Sequence, residues 1–335
     1  MRACANADQE VQAHLAGQAR NDGLHVRGDY AVGAGALACA AAAQTRGAQC
    51  DWPCYGAPSW WWASANDNLN EFGDQIKQQF YTIGFFEWAV LIILFVLNYL
   101  MESIKWKLVL AELNPTSILK SFKSVLVGQA FAFFTPARSG DYVGRILFLA
   151  PGNKLKGLAQ MAWASYAQLL ITLFFGSIGL FYNLPFLPWL KWVGPFIAAA
   201  ALIIYFHPGN FTGWLKKLSL LQIKNSLKGK LVLFSFFKYC IFILQYTWVV
   251  KIFNIPIGTL DLWVALSVLF FCLSLIPSIA LTDVVIRGQL IVLLLGPFYD
   301  NSLMLICVSA IIWSVNFLLP AIIGSILLIN YRIKQ

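Results

Sequence analysis

Residues 131–149 read FAFFTPARSGDYVGRILFL. The stretch places Arg138, Asp141 and Arg145 within eight residues, behind Pro136 and on both sides of Gly140, amid Phe, Leu, Ile and Ala. A proline ends a helix because it lacks the N–H the next turn needs, and a hydroxyl or carboxyl residue just beyond it starts another. The reading is therefore a helix interrupted at residues 135–139. Charge returns at the break, where freed backbone groups and a new helix dipole can meet it.

The rest of the chain makes this a break in a membrane helix. Of 335 residues, 59% are hydrophobic and only 12% charged, with 26 Phe and 13 Trp, which is too apolar for one soluble core. The window LAQMAWASYAQLLITLFFGSIGLFY (158–182) carries no charge, and 86–101 and 304–329 are close to it in character. About twenty such residues cross a bilayer as a helix, which satisfies its own backbone where no water can. The expected fold is all-α: a polytopic helical integral membrane protein of about 6–8 membrane segments, short re-entrant or broken helices among them.

The formal charge of +9 does not point to nucleic acid, because the cations gather in short stretches between apolar windows. Lys216, Lys217, Lys224, Lys228 and Lys230 lie within 207–230 without an acid among them. The positive-inside rule puts this loop in the cytoplasm, together with the C-terminus at Arg332 and Lys334. Lys105 and Lys107 put the end of a first helix, 83–104, on the same side.

Residues 1–65 differ in composition from the remainder. Ala, Gly and Arg abound there, whereas the first Phe, Ile and Lys are Phe72, Ile76 and Lys77. We read 1–65 as a poorly structured, compositionally alien leader, 66–82 as an extramembrane connector and 83–332 as the membrane domain. Four of seven Cys fall in the first 54 residues, and Cys50 and Cys54 have no second pair or nearby His, so no metal is expected. Further along, 116–135 and 282–297 are too short and too charged to cross. Spans at 158–182 and 188–206 form one expected hairpin, and spans at 231–251 and 260–277 another.

A second break has the design of the first. IPSIALTDVVIRGQL (276–290) sets Pro277, then Thr282, then Asp283 and Arg287 four apart, as Asp141 and Arg145 are four apart. An acid and a base at that spacing share one helical face. As surface pairs they would contribute about 0–1 kcal/mol each; at bilayer depth each charge costs ~2.5–3.5 kcal/mol, which calls for a partner or a wet cavity. Interrupted helices in corresponding parts of two halves mark the binding site of many transporters. Lys238, inside LVLFSFFKYCIFILQYTW (231–248), has two readings: a side chain snorkelling to the cytoplasmic interface, or a cation that receives a lipid phosphate. Ser165, Gln168 and Thr172, with Gly176 and Gly179, and Ser309, Trp313, Asn316 and Pro320 form stripes that read as packing seams or as cavity walls.

NYLMESIKWKLVL, GQAFAFFTPARSGDYVGRILFL and IPSIALTDVVIRG, in that order, resemble the lysylphosphatidylglycerol synthase transmembrane-region family. This is the flippase-like membrane domain of the multiple peptide resistance factor and of many stand-alone bacterial proteins. The resemblance covers about residues 84–330 and is densest in Pro136, Arg138, Gly140, Asp141 and Arg145. It departs from the family where the leader occupies the place of an additional N-terminal span. It implies a multi-pass protein of the bacterial cell (inner) membrane that moves a charged phospholipid or a polyprenyl-linked lipid between leaflets. The synthase activity in the family's name is not carried over, since no aminoacyl-transferase domain is expected after the last helix.

The expected substrate-binding residues are Arg138, Asp141, Arg145, Lys238, Asp283 and Arg287, with a phospholipid or lipid-linked substrate as the partner. The cations would hold a phosphate, and the carboxylates would orient them or meet a cationic headgroup. No cofactor is expected, and a homodimer is left open. The rival readings are a membrane scaffold or partner subunit, and a lipid transferase. The transferase reading finds no Gly-rich phosphate loop, metal-ligand spacing or activated nucleophile in the sequence.

Overall fold

The computed structural model describes residues 73–74, 76–81, 83–111, 113–183, 190–207 and 223–333. The leader at 1–65 and, of the basic loop expected at 207–230, residues 208–222 lie outside them. The chain divides into two units, Met1–Glu71 and Phe72–Gln335, and the second is described here.

It is all-α. Among the described residues from 85 onward the α-helices follow in order: α1 Phe85–Leu110, α2 Ile118–Phe134, α3 Gly140–Ile146, α4 Lys154–Asn183, α5 Leu190–Phe206, α6 Asn225–Ile252, α7 Thr259–Leu275, α8 Ala280–Leu295, α9 Ser302–Trp313 and α10 Leu319–Ile333. A five-residue π segment, Ser314–Leu318, joins α9 to α10. Among the described residues three helical runs, Phe85–Leu110, Lys154–Tyr182 and Ser302–Ile329, are long and apolar enough to cross a membrane, and Trp192–Phe206 and Thr259–Leu275 are shorter apolar helices. By contrast α2, with 17 residues, and α8, with 16, reach about 24–26 Å at 1.5 Å per residue, short of a ~30 Å hydrocarbon core.

The first break makes a hairpin. α3 folds back along α2, and a Cβ on Gly144 would stand 2.6 Å from the Gly128 Cα, while one on Gly140 would overlap the Phe131 carbonyl. Three glycines thus form the seam, which is how membrane helices approach without large side chains between them. Gly324 brings α10 equally close to the Leu126 carbonyl of α2. α4 packs along α7, where Gly176 meets Phe271 and Gly179 meets Val264 and Val268, and along α5, where Gly194 meets Ser177. Two large apolar clusters hold the bundle. One joins α6, α7, α8 and α9 around Tyr246, Leu269 and Leu305, and the other joins α1, α2, α4 and α6 around Trp106, Val125, Ala167 and Leu231.

Two expectations about charge placement are corrected here. α1 does not end near residue 104 but continues to Leu110, so Lys105 is a helix residue, 1% exposed, rather than a loop cation. Lys228, read as part of the basic loop, is also buried. Its Nζ stacks 4.7 Å from the Trp163 ring centre and donates to the Tyr205 carbonyl at 3.0 Å.

Candidate functional site

At the first break the backbone turns through Pro136–Arg138, and both Ala137 (φ 49°) and Arg138 (φ 58°) take the left-handed conformation. Residues other than glycine adopt it only when their surroundings hold them there. The holding contacts come from Thr135, whose Oγ1 accepts the Gly140 N–H at 2.7 Å and donates to the Phe131 carbonyl at 3.1 Å. Ser139, the hydroxyl residue that follows the proline and precedes α3, makes no side-chain capping bond.

At the second break α7 stops at Leu275 and α8 starts at Ala280. Thr282 is not the cap but the third residue of α8; its Oγ1 accepts from the Ile279 N–H at 3.2 Å and donates to the Ile279 carbonyl at 3.0 Å. The breaks touch each other: the Ala137 N–H donates to the Ser278 carbonyl at 3.0 Å. Elements more than a hundred residues apart thereby close one wall of a cavity.

The cavity has a volume of about 740 Å³, and all six expected site residues, Arg138, Asp141, Arg145, Lys238, Asp283 and Arg287, line it. That is ample for a lipid headgroup, since ligand sites commonly run to a few hundred Å³. Arg145, 3% exposed, clasps Asp141 with two bonds, Nε to Oδ1 at 2.7 Å and Nη2 to Oδ2 at 2.6 Å. Arg287, 5% exposed, reaches Asp283 with Nη2 and the Tyr246 hydroxyl with Nη1, each at 3.2 Å. These are not solvated surface pairs.

The sequence reading missed the residue that ties the site together. Glu102, near the end of α1, accepts from Arg145 Nη1 at 2.9 Å through one oxygen, and from Lys238 at 2.7 Å and Lys105 at 3.2 Å through the other. One carboxylate on α1 thus collects cations from α1, α3 and α6. Lys238 consequently turns inward to Glu102, which corrects the snorkelling account. A cue was present in a glutamate that directly follows the apolar window 86–101, but Lys105 and Lys107 beyond it made the stretch read as a flank.

Arg138 is held differently. Its guanidinium stacks 3.8 Å from the centre of the Phe317 ring, its Nη2 has a 3.5 Å contact with Gln129 Oε1, and among the described residues it has no carboxylate partner. Arg287 approaches the same ring, at 5.6 Å. Phe317 belongs to the π segment, a form of helix that often occurs at functional sites. The segment is fixed by Tyr99 donating to the Asn316 carbonyl at 2.7 Å and by Asn316 Nδ2 donating to Gln245 at 2.9 Å. Ser165, Gln168, Thr172 and Asn316 line the cavity, so those parts of the small and polar stripes are wall; Gly176 and Gly179 are seam.

Eight charged side chains face the cavity, five cationic and three acidic, which leaves a formal surplus of two positive charges. Among the described residues no three His, Cys, Asp or Glu side chains group as a metal site. The chain matches no family model, no curated protein and no solved structure.

Proposed function

We propose that this protein is a lipid flippase, moving an anionic or aminoacylated phospholipid or a polyprenyl-linked lipid between the leaflets of the bacterial inner membrane. The observation that supports it is the charged cavity closed by two interrupted helices inside a bundle of apolar helices. A headgroup needs polar surroundings to leave the interface, while its tails can remain in hydrocarbon. The cavity supplies cations and hydroxyl and amide groups for the first requirement, and exposed Phe, Ile and Leu side chains on the helices' outer faces suit the second. The charged side chains tolerate burial because the carboxylates are paired with cations; unpaired, each would cost several kcal/mol. Following the distribution of lysines, the C-terminus and the 207–222 loop are cytoplasmic.

Transfer of a headgroup-labelled anionic lipid between leaflets of proteoliposomes tests the proposal. Arg138→Ala and Arg287→Ala, each checked for insertion and a cooperative thermal transition, should slow transfer at least tenfold. A scaffold whose charges only fix packing would carry both substitutions with lipid movement equal to that of protein-free vesicles throughout.

A further inference from the structure

We infer that the headgroup subsite is a two-arginine clamp, Arg138 and Arg287 converging over Phe317, and that it selects a lipid ending in a phosphate monoester over a phosphodiester or an aminoacylated lipid. The inference rests on the flippase reading and narrows its cargo.

Three observations carry it. First, the carboxylates are spent. Glu102 holds three cations, Asp141 holds Arg145 by two bonds and Asp283 holds Arg287. An ammonium group on an aminoacylated headgroup would have to displace one of these cations in order to find a counter-charge. Second, the cavity's two surplus positive charges are divided, one at the clamp, where Arg138 and Arg287 face Asp283, and one where Lys105, Lys238 and Arg145 face Glu102 and Asp141; a phosphate monoester, at about −1.5 to −2 at neutral pH, answers both, whereas a phosphodiester, with a single negative charge, answers one. Third, donors are waiting for acceptors. Arg287 Nε and Asn98 Nδ2 are buried cavity groups without a hydrogen-bond partner, against one such acceptor among the lining residues, Asn316 Oδ1. Buried donors left empty are uncommon. Arg138, with only Gln129 and a ring face, has most of its five N–H groups free for phosphate oxygens.

The geometry accounts for the division of labour. Arg138 and Arg287 come from the two different breaks, so a phosphate between them bridges the halves of the molecule. The Phe317 ring lies within cation–π reach of both guanidinium groups, its centre 3.8 Å from that of Arg138 and 5.6 Å from that of Arg287. A lysine in either position would keep the charge but lose the fork that meets two oxygens at once.

The test is binding of three labelled lipids to the full chain in phosphatidylcholine nanodiscs: phosphatidic acid as the monoester, phosphatidylglycerol as the diester and lysyl-phosphatidylglycerol as the aminoacylated form. Phosphatidic acid should bind about tenfold or more tightly than phosphatidylglycerol, the scale of one additional charge-assisted contact, and lysyl-phosphatidylglycerol most weakly. Arg138→Ala and Arg287→Ala, each checked for a cooperative thermal transition, should weaken phosphatidic acid binding at least tenfold and phosphatidylglycerol binding less, so that the preference between the two lipids falls towards one. Arg138→Lys should retain only part of it. Equal binding of monoester and diester, or tightest binding of the lysyl lipid, overturns the inference; so does inorganic phosphate displacing phosphatidic acid at equal molar concentration, which would make the ligand a soluble anion. A monoester preference without leaflet exchange would leave the clamp standing and remove the flippase reading. Arginine-dependent exchange with no headgroup preference would do the reverse.

Discussion

At the scale of single residues the account turns on Glu102. Its two oxygens face Arg145, Lys105 and Lys238, so Glu102→Gln leaves three cations around a neutral amide in a poorly hydrated site. Removing one member of a buried ionic network typically costs about 3–5 kcal/mol, and thermal unfolding in detergent should show a large loss. Adding Lys105→Met to that variant should recover part of it, because Lys105 is 1% exposed and would no longer be a stranded charge; a double variant no better than the single one would mean the two do not interact. Ala137 offers the opposite experiment. At φ 49° an alanine pays about 1–2 kcal/mol that glycine does not, so Ala137→Gly should raise the unfolding temperature slightly or leave it unchanged. Legibility from the sequence follows the same division. Charges inside apolar runs, such as Arg145 and Arg287, declare themselves. Glu102 and Lys105 stand where a helix end and a loop look alike, and Phe317 is one phenylalanine among 26 until the coordinates bring two guanidinium groups over it.

At the scale of elements, the α2–α3 hairpin depends on glycines that touch backbone. Gly140→Ala and Gly144→Val should each prevent the close return of α3, seen as loss of monodisperse protein or a lower unfolding temperature by several degrees. Gly229→Ala in α6 is the matched control: nothing lies within 4 Å of the new methyl group, and the helix gains up to about 1 kcal/mol from the better former. If all three behaved alike, the hairpin seam would be wrong. The short helices were readable beforehand, because Lys120 and Lys123, and Asp283 and Arg287, leave too little apolar length to cross. Their contact was not. No local pattern announces that the Ala137 N–H and the Ser278 carbonyl are partners across 141 positions, just as nothing in residues 313–318 marks a π turn, which arises from how α9 and α10 meet Tyr99 and Gln245.

At the scale of the whole molecule, the apolar windows announced an all-α membrane bundle, and the structure adds which faces turn inward. Lys105 and Lys228, counted as loop cations in the sequence, are interior groups, so orientation rests on the remaining lysines. Single cysteines introduced at Lys217 and Lys334 in a cysteine-free background should be shielded from an impermeant thiol reagent in intact cells and labelled after permeabilisation; the reverse pattern would invert the proposed orientation. The central claim is that two interrupted helices, distant in sequence, bring their charges to a single cavity. Its most direct measurement is the yield of intramolecular cross-link between cysteines at positions 137 and 278 in native membranes, using a short bifunctional thiol reagent. The account predicts rapid and near-complete linkage in Ala137→Cys/Ser278→Cys and none when the second cysteine is moved to Gly229. Failure of the 137–278 pair to link, with both cysteines reactive to a monofunctional reagent, would mean that the breaks face separate environments.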